Sequence, residues 1–347
     1  MPKRGEYKDR LSVGDASDPS GMGRAFLDFF AWLKVMNYSA GTLITYDRQL
    51  RYFIAWCEAR SLTRPTEITQ AILTRYQRTV SQIEIVKPNS DGSEEPIRKT
   101  IAFITQMHYL VPVRQFFRWL AKSHKILFNP AAELELPRKE RRLPKAVLSA
   151  SEAEAVMNQV NMLHPMGLRD RAILETFYST GMRRQELINL LLYDLDFDRG
   201  TVMIRQGKGK KDRVIPIGDR ALAWIQKYRN DLRPLLIVGS DEGTLFLTKQ
   251  GEAMTPNTLS RMVRLCVDGA GLGKRGSCHI FRHTMATLML EQGADVRFVQ
   301  EMLGHVSLET TQVYTRVSIV KLKEVHTQTH PGAHFARRLN TTENQGT

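Results

Sequence analysis

The stretch Thr201–Ile217, TVMIRQGKGKKDRVIPI, is where the hydrophobic period of this chain changes. Thr201–Arg205 (TVMIR) and Arg213–Ile217 (RVIPI) are short and rich in β-branched residues, and the Gly- and Lys-rich turn QGKGKKD lies between them, so they predict two paired strands. On both sides of this stretch the apolar residues recur at helical spacing. The fold expected is mainly α with a small antiparallel β-sheet.

Working outward toward the carboxy terminus, helices are expected over Asp219–Asn230, Pro256–Gly269, Phe281–Gln292, Val296–Leu303 and Leu308–His326. Toward the amino terminus, Arg169–Leu192 reads as helix interrupted at Ser179–Gly181. Leu148–Asn161 opens with Ser149 and Ser151 ahead of Glu152 and Glu154, a helix-start pattern. Before it, Pro137–Pro144 (PRKERRLP) is charged, bracketed by prolines and without apolar periodicity, and reads as an exposed basic linker.

The amino-terminal part is expected to be a small helical bundle. Ala25–Lys34 and Thr42–Ala59 carry aromatic and aliphatic residues at helical spacing, with Ser39 or Thr42 able to cap the second. A third helix is expected from about Thr69 to Ile85 and a fourth over Thr100–Lys122, with the acidic, turn-rich loop KPNSDGSEEP (Lys87–Pro96) between them. Phe116, Phe117 and Trp119 could stack on bases, but their helical spacing assigns them to the core.

Composition limits the function. The 347 residues hold 50 Lys and Arg against 36 Asp and Glu, a formal charge of +14. There are 24 basic and 15 acidic residues before Leu148, and 26 and 21 from there on, so both halves are basic and both are expected to lie along one polyanion, most simply nucleic acid. Three cysteines without CxxC spacing indicate neither a disulfide framework nor a cysteine zinc site. No apolar run approaches the roughly 18 residues of a membrane span, and the polar start lacks the apolar core of a secretory signal. A cytoplasmic location without a membrane partner is expected.

Four segments hold polar residues that neither a core nor a solvated face requires. Thr180–Leu187 (TGMRRQEL) sets a glycine just ahead of Arg183, Arg184 and Glu186. Arg205–Arg213 (RQGKGKKDR) is a basic hairpin tip that lacks the full phosphate-loop pattern, so it reads either as a solvated turn or as a lysine reaching a phosphate. Cys278–His283 (CHIFRH) opens a helix; His279 and His283 could share zinc, but position 280 is Ile rather than the Glu of HExxH. An anion site using His279 and Arg282 is favoured instead. Leu303–Thr315 (LGHVSLETTQVYT) contributes His305 and Tyr314. Arg, Lys, His and Tyr without a carboxylate cluster suit a phosphoryl transition state held by fixed charge, with a side chain as nucleophile, better than two-metal hydrolysis. No cofactor and no metal is expected.

In this order and spacing, TGMRRQEL, QGKGKKDR, HIFRH, LGH and Tyr314 resemble the catalytic domain of the tyrosine recombinase (lambda integrase-like) family, closest to its Xer-type bacterial members. SAGTLITYDRQLRYFIAW and the FFRWL to NPAAELELPRK stretch are similar to the family's helical core-binding domain and linker. The resemblance spans about residues 20–335. It implies a flexible extension over 1–20, a helical core-binding (SAM-like) DNA-binding domain over 21–136, a basic linker over 137–147, a mixed α/β catalytic domain over 148–335 and a flexible tail over 336–347.

It also implies roles. Arg183, which directly follows the family's T-G-[LM], and Arg282 would clamp the non-bridging oxygens of the scissile phosphate, while Arg184 would contact DNA. Lys208 would protonate the departing 5′ oxygen, His279 would assist proton transfer at Tyr314, and His305 would bond the phosphate. Tyr314 would form a 3′-phosphotyrosyl bond, without metal or ATP. Glu186 would orient its helix and take no part in the chemistry. The partners implied are double-stranded DNA recombination sites and a homotetramer on two such sites, with a second, different recombinase left open. The competing readings are a binder that has lost cleavage, a type IB topoisomerase, and a metal nuclease built on His279 and His283.

Overall fold

A computed structural model describes residues 13–87, 97–137, 146–205 and 212–304. The chain divides into two compact units, Met1–Arg141 and Arg142–Thr347.

In the first unit, α1 (Met22–Val35), α2 (Ala40–Glu58), α3 (Gln70–Ser81) and α4 (Phe103–Lys122) surround one core. Ser39 and Thr69 cap α2 and α3 by accepting the amides of Thr42 and Ile72, so local chemistry fixes where both helices start. Leu50, Phe53, Ile54 and Cys57 of α2 recur at helical spacing and are fully buried. Phe116 and Phe117 of α4 are buried as expected, and Phe29 meets the rings of both Phe116 and Trp119 at 5.4 Å, so the aromatic cluster is core. α4 continues through a buried Pro112, which removes the amide that would bond the His108 carbonyl.

The expected third helix stops early. It ends at Ser81, and β1 (Glu84–Lys87) pairs antiparallel with β2 (Ile97–Thr100), Glu84 opposite Thr100 and Lys87 opposite Ile97. Residues 84–85 and 100 are therefore strand where helix was expected; the non-local partner strand satisfies their backbone groups. The loop between the strands, residues 88–96, lies outside the described residues, as do the linker over 138–145 and residues 1–12. Within the amino-terminal extension, Val13 packs against the core and Asp15 and Asp18 close turns onto Ser17 and Ser20.

The second unit contains α5 (Ala150–Met157), α6 (Gly167–Thr180), α7 (Arg184–Ile188), α8 (Asp219–Asp231), α9 (Arg233–Leu236), α10 (Pro256–Gly269), α11 (Cys278–Glu291) and α12 (Val296–Leu303). Its sheet runs β3 (Leu195–Asp196), β4 (Thr201–Ile204), β5 (Arg213–Pro216), antiparallel throughout, with Val202 opposite Ile215 and Ile204 opposite Arg213. The two expected strands are present, and β3 adds a third at the edge. Val202, Ile204 and Ile215 point to the core.

Ser149 starts α5 through a capping box with Glu152. α6 is buried on most of its surface and packs against both α8 and α11. Its buried Glu175 is paired by Arg171 and Arg220, which offsets the cost of burying the charge. α6 stops at Gly181, whose φ of +58° turns the chain back, and a β-carbon there would sit 2.1 Å from the Met285 methyl. The next residues are Met182 and Arg183, so the glycine aims the arginine segment across the end of α11.

The three cysteines are buried free thiols, and burial pushes Cys57 up to about 12 and Cys266 to about 11. Among the described residues no helix is long and apolar enough to cross a membrane. The expected helix over Leu308–His326 and the tail over 336–347 lie outside the described residues.

Candidate active site

The site is organised by the carboxy-terminal end of α12. Gly304 closes that helix in the left-handed conformation, φ +61°, leaving the carbonyls of Met302, Leu303 and Gly304 without helical partners. Arginines from three different elements take them. Arg213 of β5 donates from Nε to the Met302 carbonyl at 3.0 Å. Arg282 of α11 donates from Nη2 to Leu303 at 2.6 Å, and Arg183, just before α7, donates from Nη2 to Gly304 at 3.0 Å. The negative end of the helix dipole favours all three.

These contacts bring together Arg183 and Arg282, which lie 99 positions apart in the sequence. Arg282 is buried, 4% exposed, and also donates from Nη1 to the Gly181 carbonyl at 2.7 Å, tying α11 to the turn ahead of Arg183. Arg183 is half-buried. Of the five donors a guanidinium carries, its bonds to Glu186 and Gly304 engage two. Donor capacity for an incoming anion remains.

Glu186 is the carboxylate under this arrangement. It is buried and accepts the Arg183 amide (2.8 Å), Arg183 Nη1 (2.8 Å), and both Nη1 (3.0 Å) and Nη2 (2.8 Å) of Arg213. Burial alone would raise its pKa, but the Arg213 and Arg183 bonds prevail and hold it down to about 2. Glu186 is therefore ionised at neutral pH and fixes two guanidinium planes.

His279, in the first turn of α11, is exposed, and its pKa is lowered by partial desolvation and then by Arg282, Arg184 and Arg183. Desolvation and these cations together favour the neutral imidazole. His283 one turn later is held to about 4 by desolvation, His279 and Arg282. Among the described residues no group of three or more His, Cys, Asp or Glu could hold a metal ion.

Of the six residues singled out in the sequence, Arg183, His279 and Arg282 are brought to one place. Lys208, His305 and Tyr314 lie outside the described residues; in the sequence Lys208 falls between β4 and β5, and His305 follows Gly304 directly. Arg184 donates from Nη1 to Ser260 Oγ at 2.7 Å, with the Pro256 carbonyl at 3.4 Å, because α10 packs against α7 and presents both acceptors to it. Arg213 is the residue that the sequence reading passed over. Read as part of a basic turn, it sits in β5 two residues before buried Ile215, and that alternation was the signal that it points inward.

Residues 146–319 match the model of the phage integrase family. The chain is 45% identical over 302 residues to Tyrosine recombinase XerC 2 of Ralstonia nicotianae, covering 87% of this chain and 84% of the relative. Among solved structures, the XerH site-specific recombinase bound to its palindromic difH substrate aligns with a TM-score of 0.66 at 21% identity, covering 91% of each chain. A lambda integrase tetramer bound to a Holliday junction aligns with a TM-score of 0.60 at 18% identity, over 86% of this chain and 78% of that one. The structural likenesses establish the fold and the sequence match establishes the kinship, and on both grounds this chain belongs to the phage integrase family, among its Xer-type tyrosine recombinases.

Proposed function

We propose that this chain cuts and rejoins DNA at specific sites, with Tyr314 as nucleophile and Arg183 and Arg282 as the clamp on the scissile phosphate. The observation that carries the reading is the placement of these two guanidinium groups on consecutive carbonyls at the end of α12, one of them fixed by an ionised, buried Glu186. Such preorganised charge is worth most where negative charge builds, on the equatorial oxygens of a pentavalent phosphoryl transition state.

In the reaction proposed, the Tyr314 oxygen forms a bond to phosphorus as the bond to the 5′ oxygen breaks. The tyrosine proton leaves with help from neutral His279, and Lys208 supplies a proton to the departing 5′ oxygen. His305 bonds the phosphate. A 3′-phosphotyrosyl link conserves the energy of the broken bond, so a 5′ hydroxyl from a partner duplex can reverse the step on a new strand. Two rounds form and resolve a Holliday junction.

The domain roles belong to the same proposal: a helical DNA-binding domain over 21–136, a basic linker over 137–147 and a catalytic domain over 148–335. The partners proposed are two double-stranded sites held by four protomers, by analogy with the tetramer on a junction and the palindromic substrate of the two structural relatives. The basic charge of both halves supports phosphate contacts from each, and hence salt-dependent binding. A site of action in the cytoplasm follows from the substrate.

The test uses nicked duplexes covering DNA around the encoding locus, in the presence of chelator, with wild-type protein beside Tyr314→Phe. Denaturant-resistant protein–DNA adducts with the wild type and none with the variant support the reading. Bound DNA without any adduct supports the alternative of a binder that has lost cleavage. Relaxation of a supercoiled circle without exchange between duplexes would place the chain with type IB topoisomerases.

A further inference from the structure

Arg213 has no role in the chemistry just described, yet its guanidinium makes three hydrogen bonds at the site. Its side chain is 13% exposed. Nη1 and Nη2 bond the two oxygens of Glu186 at 3.0 and 2.8 Å, and Nε bonds the Met302 carbonyl at 3.0 Å. One planar group thus joins three things at once. The first is β5, whose first residue is Arg213 itself, paired with Ile204, the last residue of β4. The second is Glu186, and through it Arg183. The third is the end of α12, where the chain runs on into His305.

Gly304 adds an independent observation. Its left-handed φ already favours glycine, and a β-carbon on it would lie 3.0 Å from Arg213 Cζ and Nη1 and 3.1 Å from Nε. The guanidinium therefore packs flat against the backbone of Gly304, whose carbonyl Arg183 also holds. Backbone approach this close requires both a glycine and a planar partner.

We propose that Arg213 is a positioning residue for DNA cleavage, holding β5, the Arg183–Glu186 pair and the carboxy-terminal end of α12 in one register. The inference rests on the cleavage reading above. It acts through geometry: the bonds of Arg213 go to Glu186 and to the Met302 carbonyl. Lysine cannot replace it, because a single ammonium cannot span both Glu186 oxygens and the Met302 carbonyl with fixed directions.

The experiment compares wild type, Arg213→Lys, Gly304→Ala and the double variant on a nicked duplex, reading single-turnover adduct formation at saturating protein, DNA affinity at fixed salt, and thermal melting. Arg213→Lys is expected to bind DNA within about threefold of wild type while adduct formation slows about 10- to 100-fold, the scale of a misplacement near 1 Å. Gly304→Ala, which leaves Arg213 present but pushes on it, is expected to slow adduct formation similarly. In the double variant the alanine is expected to cost several-fold less than it does alone, because the lysine has no planar group for it to strike.

Cleavage by Arg213→Lys within threefold of wild type, proportional loss of binding and cleavage, or additive costs in the double variant would each overturn the proposal. Should Arg213→Lys fail to fold, Gly304→Ala decides alone: slowed cleavage with intact binding and melting supports the proposal, and an unchanged rate overturns it. Absence of any adduct with wild type would instead strike the cleavage reading itself, and the proposal with it.

Discussion

Replacing Glu186 with Gln is expected to remove about 3 kcal/mol of stability from the second unit at pH 7. Glu186 is buried and accepts four donors from Arg183 and Arg213, and they hold its pKa at about 2 against an ordinary 4.5. A difference of about 2.5 pKa units is worth about 3.4 kcal/mol between the charged and neutral forms. Glutamine keeps the shape but turns an amide toward donors, leaving two guanidinium groups without their carboxylate, for which about 3–5 kcal/mol is usual. For a unit of 206 residues the shift in melting temperature is roughly 6–12 °C.

The pH dependence identifies the cause. A carboxylate whose folded pKa is depressed contributes fully above its unfolded value and loses that contribution as pH falls toward the folded one. The gap between wild type and Glu186→Gln is therefore expected to be widest above pH 5 and to narrow by about 1.4 kcal/mol by pH 3.5. Urea unfolding at pH 7, 5 and 3.5 measures it. A gap that stays constant across this range, or one below 1 kcal/mol at pH 7, would refute the assignment of Glu186 as the ionised anchor of both arginines.

Two further predictions follow from particular residues. His283 is held at about 4 in the fold, so it stays neutral while the unfolded chain protonates near 6.5, and stability falls as pH drops through this window. Wild type is expected to lose up to about 3 kcal/mol between pH 7 and 4 that His283→Gln retains, read from urea midpoints. Gly181→Val places a β-branched residue at φ +58° against Met285, and is expected to cost 2 kcal/mol or more by thermal melting, with Gly181→Asn milder because asparagine tolerates that conformation.

The parts of the fold that local chemistry sets were readable from the sequence. α10 begins at Pro256, behind the Thr255 cap, and α12 ends at Leu303, ahead of the left-handed Gly304; both spans match the expectation because local signals mark these ends. α3 was overrun because Leu73, Tyr76, Val80 and Ile83 continue a helical spacing, while the strand that replaces it depends on a partner beginning at Ile97. The candidate residues were named from resemblance, but the way they are held was not legible. The bond from Arg183 to Gly304 spans 121 positions and ends on a backbone carbonyl, which carries no side-chain signature in the sequence. The position of Arg183 directly after T-G-M set it apart from Arg184, but the bond of Arg184 to Ser260, 76 positions away, was not legible. Arg213 was masked by the lysines beside it, although its alternation with Ile215 pointed inward.

Whether the Arg183–Arg282 clamp presents a phosphate to Tyr314 is read from the covalent link itself. Adducts trapped on a nicked duplex would be digested with protease and nuclease, and the modified peptide and the released strand end identified by mass spectrometry. The expected product is a nucleotide joined through its 3′ phosphate to the Tyr314 oxygen, with a free 5′ hydroxyl on the other end, and this product is lost in Arg282→Lys protein that still binds DNA. Attachment at another residue, a 5′-linked nucleotide, or undiminished product from Arg282→Lys would contradict it.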